Sequence, residues 1–245
     1  EKAPAGMPLK IRDFELRESD FKLMDYDAQE GGFVVTLDKI SARVRDIETP
    51  LSDKKTSYEI SADLLQGRDQ RPAEIRLAGW TAFGTMDTDA SINLKGLYLP
   101  YFSPYYSQVT EAAIGEGIMD SRSVLKIQNR VMTLNMDFEL SGLLFQSYEL
   151  ENQLFGLKAD EILMFLKDRA GRLKFPVVIE WNMADKSVKL KDIIRRSIEQ
   201  SLRRLVLGSV GNILENTFKK IDEQGIEQTK DELEGTLKKV KELFR

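Results

Sequence analysis

YEISADLLQGRDQRPAEIRLAG, residues 58–79, decides the reading of the fold. Tyr58, Ile60, Ala62 and Leu64 alternate with Glu59, Ser61 and Asp63, the period of a strand with one buried face. Residues 66–71, QGRDQR, are too polar and charged to continue it and read as a turn. Ile75, Leu77 and Gly79 then resume the alternation. Two half-buried strands joined by a short polar turn form an antiparallel hairpin.

The same grammar extends both ways. Toward the N-terminus, Leu9, Ile11, Phe14 and Leu16, then Phe21 and Leu23, predict two strands with a turn at Ser19-Asp20. Gly31-Gly32 turns the chain into Phe33, Val35 and Leu37, then Ile40, Ala42 and Val44. The change of phase near Lys39 predicts a bulge or register change there. Residues 49–56 read as a polar loop. Toward the C-terminus come Ala90, Ile92, Leu94 and Leu97. A passage with two prolines and four tyrosines follows, residues 97–106, LYLPYFSPYY. It suits an ordered loop that packs aromatic rings, with a lid or membrane-interface contact as the alternative, and it leads into a short helix over 109–114. Val124, Leu125 and Ile127 and then Val131, Leu134, Met136, Phe138 and Leu140 flank a hairpin turn at Asn129-Arg130. The expectation is a mainly β protein, an antiparallel meander forming an open, elongated, groove-like sheet.

Residues 154–214 differ. Ala159, Ile162, Leu163 and Leu166 share a helical face over 157–168. Gly171 sits where a left-handed residue ends a helix. Residues 172–181 read as a strand whose Pro176 fits an edge. Ile194, Ile198, Leu202, Leu205, Ile213 and Leu214 form the stripe of a long amphipathic helix. Residues 218–245 carry a thinner stripe. The expected organisation is a β-groove domain over 1–188, with short helices near 109–114 and 157–168, and a capping helical segment over 189–245.

Composition narrows the chemistry. Of 245 residues 42% are apolar, enough for a core, and the formal charge is −4. That balance argues against a nucleic-acid partner, which calls for a basic excess. Cysteine and histidine are both absent. This excludes a Cys/His zinc site, a thiol nucleophile, a Ser-His-Asp triad and disulfides. Asp87 with Asp89, and Asp160 with Glu161, show no spacing that singles out a general acid and base. Asp87-x-Asp89 also lacks a twelve-residue calcium loop. No glycine-rich phosphate loop occurs. No catalytic residue, metal or cofactor is expected, and the protein reads as a non-enzyme. No run of about 18 apolar residues is present to span a membrane as a helix. Glu1 in place of an initiator Met reads as a processed chain or a piece of a longer one.

The apolar face supplies one set of candidate residues: Phe33, Val35, Leu37, Tyr58, Ile60, Leu64, Ile75, Leu77, Ile92, Leu94, Leu125, Ile127, Leu134, Met136 and Phe138. Ordinary core and a lipid groove draw on the same side chains, so periodicity alone leaves both open. The long helix supplies a second set, Lys189, Lys191, Arg195, Arg196, Arg203 and Arg204. These basic side chains suit anionic lipid headgroups, or simply a solvated helix face.

Three passages carry a family resemblance. The helix beginning Gly156-Leu157-Lys158-Ala159 runs to Leu166 and into Leu166-Lys167-Asp168-Arg169-Ala170-Gly171-Arg172-Leu173. Residues 94–106, LKGLYLPYFSPYY, form the second, and residues 11–26, with Asp25 near their end, the third. Together these resemble the AsmA-like proteins of Gram-negative bacteria, the superfamily that includes TamB. The resemblance implies an elongated β-structure with an apolar groove that passes phospholipid between membranes. It also implies a periplasmic location, with attachment to the inner membrane through a segment outside this chain. Phospholipid, and inner-membrane or other envelope proteins, are the implied partners, and an oligomer would lengthen the groove. This chain is shorter than the long members of the superfamily. A structural adaptor that binds a partner protein by a sheet edge or its terminal helices is the alternative.

Overall fold

The computed structural model describes residues 8–106, 113–145, 153–154, 157–158, 167–185 and 187, and, in the following helical segment, positions 192–194, 196–198, 200, 201, 204, 205 and 208. Eight strands make one antiparallel sheet: β1 (Leu9–Asp25), β2 (Phe33–Thr49), β3 (Lys55–Leu65), β4 (Ala73–Ala82), β5 (Asp87–Tyr98), β6 (Ile114–Gln128), β7 (Val131–Phe145) and β10 (Leu173–Asn182). They lie in chain order, β1-β2-β3-β4-β5-β6-β7-β10, and the sheet does not close. The mainly β, open antiparallel meander read from the alternation is therefore the fold.

Turn chemistry explains most of the connections. Gly31 and Gly32, at φ of 85° and 88°, turn β1 into β2, a region of backbone space that glycine enters without steric cost. Asn129 and Arg130 both have positive φ, as the two central residues of a type I′ hairpin require. Pro176 lies in β10, an edge strand whose apolar alternation is sharp: Leu173, Phe175, Val177 and Ile179 are buried, and the residues between them exposed. A strand at the edge tolerates the missing N–H.

Three local expectations are corrected. Ser19-Asp20 is not a turn, because β1 runs unbroken for 17 residues. The strand instead carries register shifts between Leu16 and Phe21, with Glu18 at φ 49°, and β2 has a matching irregularity at Lys39, also φ 49°. The apolar phase moves from even to odd numbers across the first and from odd to even across the second, so the paired bulges keep the faces aligned. The helix expected at 109–114 is corrected only at its end, where Ile114 is already in a strand. Leu99–Phe102 forms a 3-10 turn and Ser103–Tyr106 a single helical turn, whereas Ile114 opens β6. Positions 109–112 lie outside the described residues. The helix expected over 157–168 is absent at its described ends. Leu157–Lys158 (β9) pairs with Gln153–Leu154 (β8), and Lys167 bridges to Leu173. Asp168 organises the turn between those last two, its carboxylate accepting the amides of Ala170 (2.8 Å) and Arg172 (2.9 Å). Gly171 is left-handed there, at φ 72°.

Among the described residues the best-packed part is a cluster on one face. It includes Leu64, Ala73, Leu97, Leu99, Phe102 and Leu143 with the buried residues of β10. The aromatic turn caps it: Phe33 lies 5.3, 5.8 and 5.5 Å from the rings of Tyr101, Phe102 and Tyr105. All described positions between 192 and 208 are helical, and Ile193, Ile194, Ile198 and Leu205 pack against the cluster. Part of the expected apolar stripe therefore docks the helix. Leu202, Ile213, Leu214 and residues 218–245 lie outside the described residues.

Candidate functional site: an apolar sheet face

Antiparallel register places directly paired residues on the same face, so the pairings trace rows across the sheet. One row is Leu16, Ala42, Ile60, Leu77, Ile92, Ser123, Met136 and Val177, one residue from each of the eight strands. The next is Phe14, Val44, Tyr58, Gly79, Ala90, Leu125, Leu134 and Ile179. A third, on the cluster side, is Ala62, Ile75, Leu94, Ser121, Phe138 and Phe175. Strand alternation puts Phe33, Val35, Leu37, Leu64 and Ile127 on this face too. All fifteen apolar candidates thus share one face of the sheet.

Their burial is uneven. Leu64 is buried, whereas the other fourteen are only half-buried. Phe33, Val35, Leu37, Ile75, Leu94, Leu134, Met136 and Phe138 pack against the cluster. Tyr58, Ile60, Leu77, Ile92, Leu125 and Ile127 are not among the residues that do. The apolar face therefore has a packed half and a half without comparable cover from the described residues. In the second half Gly79 faces Ala90 so closely that a Cβ on Gly79 would lie 2.4 Å from the Asp89 carbonyl oxygen and 2.6 Å from the Ala90 Cα. The pair makes a low point between the larger Tyr58 and Leu125.

A polar row ends this face. Thr56, Thr81 and Thr88 are buried and continue through Ile127 and Met132 to Trp181. The Thr81 and Thr88 hydroxyls lie 3.1 Å apart, and Thr56 Oγ1 donates to the Asp46 carbonyl at 3.0 Å. These bonds satisfy the buried hydroxyls. Trp181 Nε1 is buried without an acceptor among the described residues.

The opposite face is ion-paired. Arg43 joins Asp13 (2.9 Å) and Glu15 (3.0 Å), Arg45 joins Glu59, and Glu139 receives both Arg172 and Lys174 at 2.9 Å. Hydrogen bonding from Arg43 holds the Asp13 carboxyl below its ordinary pKa, and Lys174 does the same for Glu139. Exposed pairs of this kind add little stability, but they mark the solvated side. A shallow depression of about 710 Å3 on it is lined by Arg43, Glu59, Ser61, Arg76 and Asn93 among others.

The basic candidates are not assembled into a described patch. Arg196 and Arg204 are helical and exposed. Arg204 lines a cavity of about 690 Å3 with Pro176, Val178 and Glu180 of β10. Lys189, Lys191, Arg195 and Arg203 lie outside the described residues. Of the acidic pairs, Asp87 accepts the Asn129 amide at 3.1 Å and Asp89 faces Lys126 at 4.0 Å, whereas Asp160 and Glu161 lie outside the described residues.

Two features escaped the sequence reading. Gln66, inside the charged turn, is 2% exposed. Its side chain donates to the carbonyls of Arg71 and Gly96 and accepts the Tyr98 amide, each at 2.7 Å. Leu51, Phe83 and Met86 were passed over because they lie in turns; their signal was a large apolar residue where a polar one is usual. No family model, curated protein or solved structure matches the chain, so the likeness to AsmA-like proteins rests on the motifs quoted above.

Proposed function

We propose that the chain is a non-enzymatic lipid-binding protein of the AsmA-like type that holds phospholipid acyl chains against its apolar sheet face. The observation that carries the reading is the continuous apolar rows, with Tyr58, Ile60, Leu77 and Ile92 half-buried rather than sealed. Each acyl CH2 group that leaves water for such a surface gains about 0.8 kcal/mol, while the headgroup keeps its solvent. A contiguous uncovered apolar patch commonly marks a binding surface. The cell-envelope role, the periplasmic location and attachment to the inner membrane belong to the same proposal and rest on the family resemblance.

Native mass spectrometry of the purified chain, beside lipid extraction, tests it. The expected result is a bound phospholipid that is lost in Ile60→Glu and Ile92→Glu. A clean unliganded mass, with nothing taken up from added vesicles, overturns it. A second reading is an adaptor that binds an envelope protein. It draws on β1, which pairs only with β2 among the described residues and so presents a free backbone edge. A stoichiometric protein partner retained by lipid-free protein would favour that reading.

A further inference from the structure

The sheet end where β2, β4, β6 and β10 finish is built differently from the other. Its connections are tied to one another. The Gly84 amide donates to the Ser52 carbonyl (2.8 Å), the Asn129 amide to the Asp87 carboxylate (3.1 Å) and the Met183 amide to the Arg130 carbonyl (2.8 Å). These bonds join successive turns into one rim. At or beside the tips stand Leu51, Phe83, Met86 and Val131, which are 63%, 38%, 49% and 46% exposed. Both tryptophans of the chain lie near this end, Trp80 close to the end of β4 and Trp181 close to the end of β10. Lys55 Nζ sits 3.8 Å above the Trp80 ring. The buried row of Thr56, Thr81 and Thr88 separates the half-buried apolar rows from this rim.

We propose that this rim contacts a lipid bilayer, with Leu51, Phe83, Met86 and Val131 dipping into the interfacial zone. Apolar side chains on separate turn tips make a comb, which suits a soft apolar phase better than a flat protein surface. Tryptophan concentrates at such interfaces because its ring is apolar and its N–H polar. Charges along the rim are mixed, Lys54, Lys126 and Arg130 against Asp53, Asp87 and Asp89, so the contact is apolar rather than electrostatic. The opposite end also exposes apolar side chains, including Met24 and Tyr26. There, however, the aromatic turn packs on itself, and Tyr105 donates to Asp25 at 3.0 Å. The inference rests on the proposed lipid function only for what the contact would deliver.

The test floats the full chain with phosphatidylcholine vesicles, with and without a minor share of phosphatidylglycerol, and reads tryptophan quenching by brominated acyl chains. Flotation with both vesicle types, quenching, and little loss at high salt are expected. Leu51→Asp, and Leu51→Asp with Phe83→Asp, should weaken flotation by about tenfold or more, with circular dichroism unchanged. No flotation of the native chain, equal flotation of the Leu51→Asp variant, or binding that needs phosphatidylglycerol and vanishes in salt would overturn the proposal. The two proposals fail separately. Ile60→Glu should float normally yet carry no lipid, whereas Leu51→Asp should keep lipid delivered from detergent but not float.

Discussion

The amide of Gly84 donates to the carbonyl of Ser52 across 2.8 Å and binds the β4–β5 turn to the β2–β3 loop. The approach requires glycine. A Cβ at position 84 would meet Asp53 Oδ1 at 2.4 Å and the Ser52 carbonyl carbon at 2.9 Å. Gly84→Ala should therefore push the two connections apart and cost about 1–3 kcal/mol, as overpacking does. A urea denaturation midpoint measures the loss, and an unchanged midpoint would show that the loop gives way freely.

The two halves of the apolar face should respond differently to charge. Ile179 is 1% exposed within the cluster, so Ile179→Glu buries an unpaired carboxylate and should unfold the protein. Ile60→Glu, at a half-buried position, should cost only about 1 kcal/mol. Thermal melts of the two variants make the comparison. Equal losses would mean that Ile60 is ordinary core.

Gln66 serves three backbone groups from a buried position. Gln66→Leu keeps the approximate volume but leaves the Tyr98 amide and the carbonyls of Arg71 and Gly96 without this partner. The expected loss is about 3 kcal/mol, since buried groups left unmade cost more than a made bond gains. Hydrogen exchange at the Tyr98 amide should accelerate as well.

Acid should loosen the turn at 168–172. The Arg172 amide, with help from that of Ala170, holds the Asp168 carboxyl below its ordinary value of 3.8 despite partial desolvation. A depressed folded pKa contributes stability above the unfolded value and loses it as pH falls through the folded one. The native chain should therefore lose urea resistance below about pH 4 more steeply than Asp168→Asn. Parallel acid profiles would remove Asp168 from the account.

Alternation made the meander legible because each strand keeps one face on the apolar side, and the resulting phase put all fifteen apolar candidates on one face. The bulge at Glu18 was misread as a turn because two polar residues in a row interrupt either kind of strand. Only the compensating slip at Lys39 in the partner distinguishes them, and pairing is not written in one segment. Residues 157–158 open a helical pattern on paper, yet they pair with Gln153–Leu154, a local hairpin pairing that competes with the short helical pattern. Gln66 was invisible for the opposite reason: its polar type fits a solvated turn, and only the fold closes over it.

The order of the strands has a consequence for how the protein assembles. In the eight-stranded sheet every neighbouring pair but β7 and β10 joins strands consecutive along the chain, so β1 to β7 can pair one after another, the longest connection among them being residues 99–113. β10 must return across residues 146–172 to reach β7, and it brings Val177 and Ile179, the largest fully buried side chains among the described residues. During synthesis a long sheet thus precedes part of its own core, and the cluster is completed only when β10 and the helical segment after it arrive.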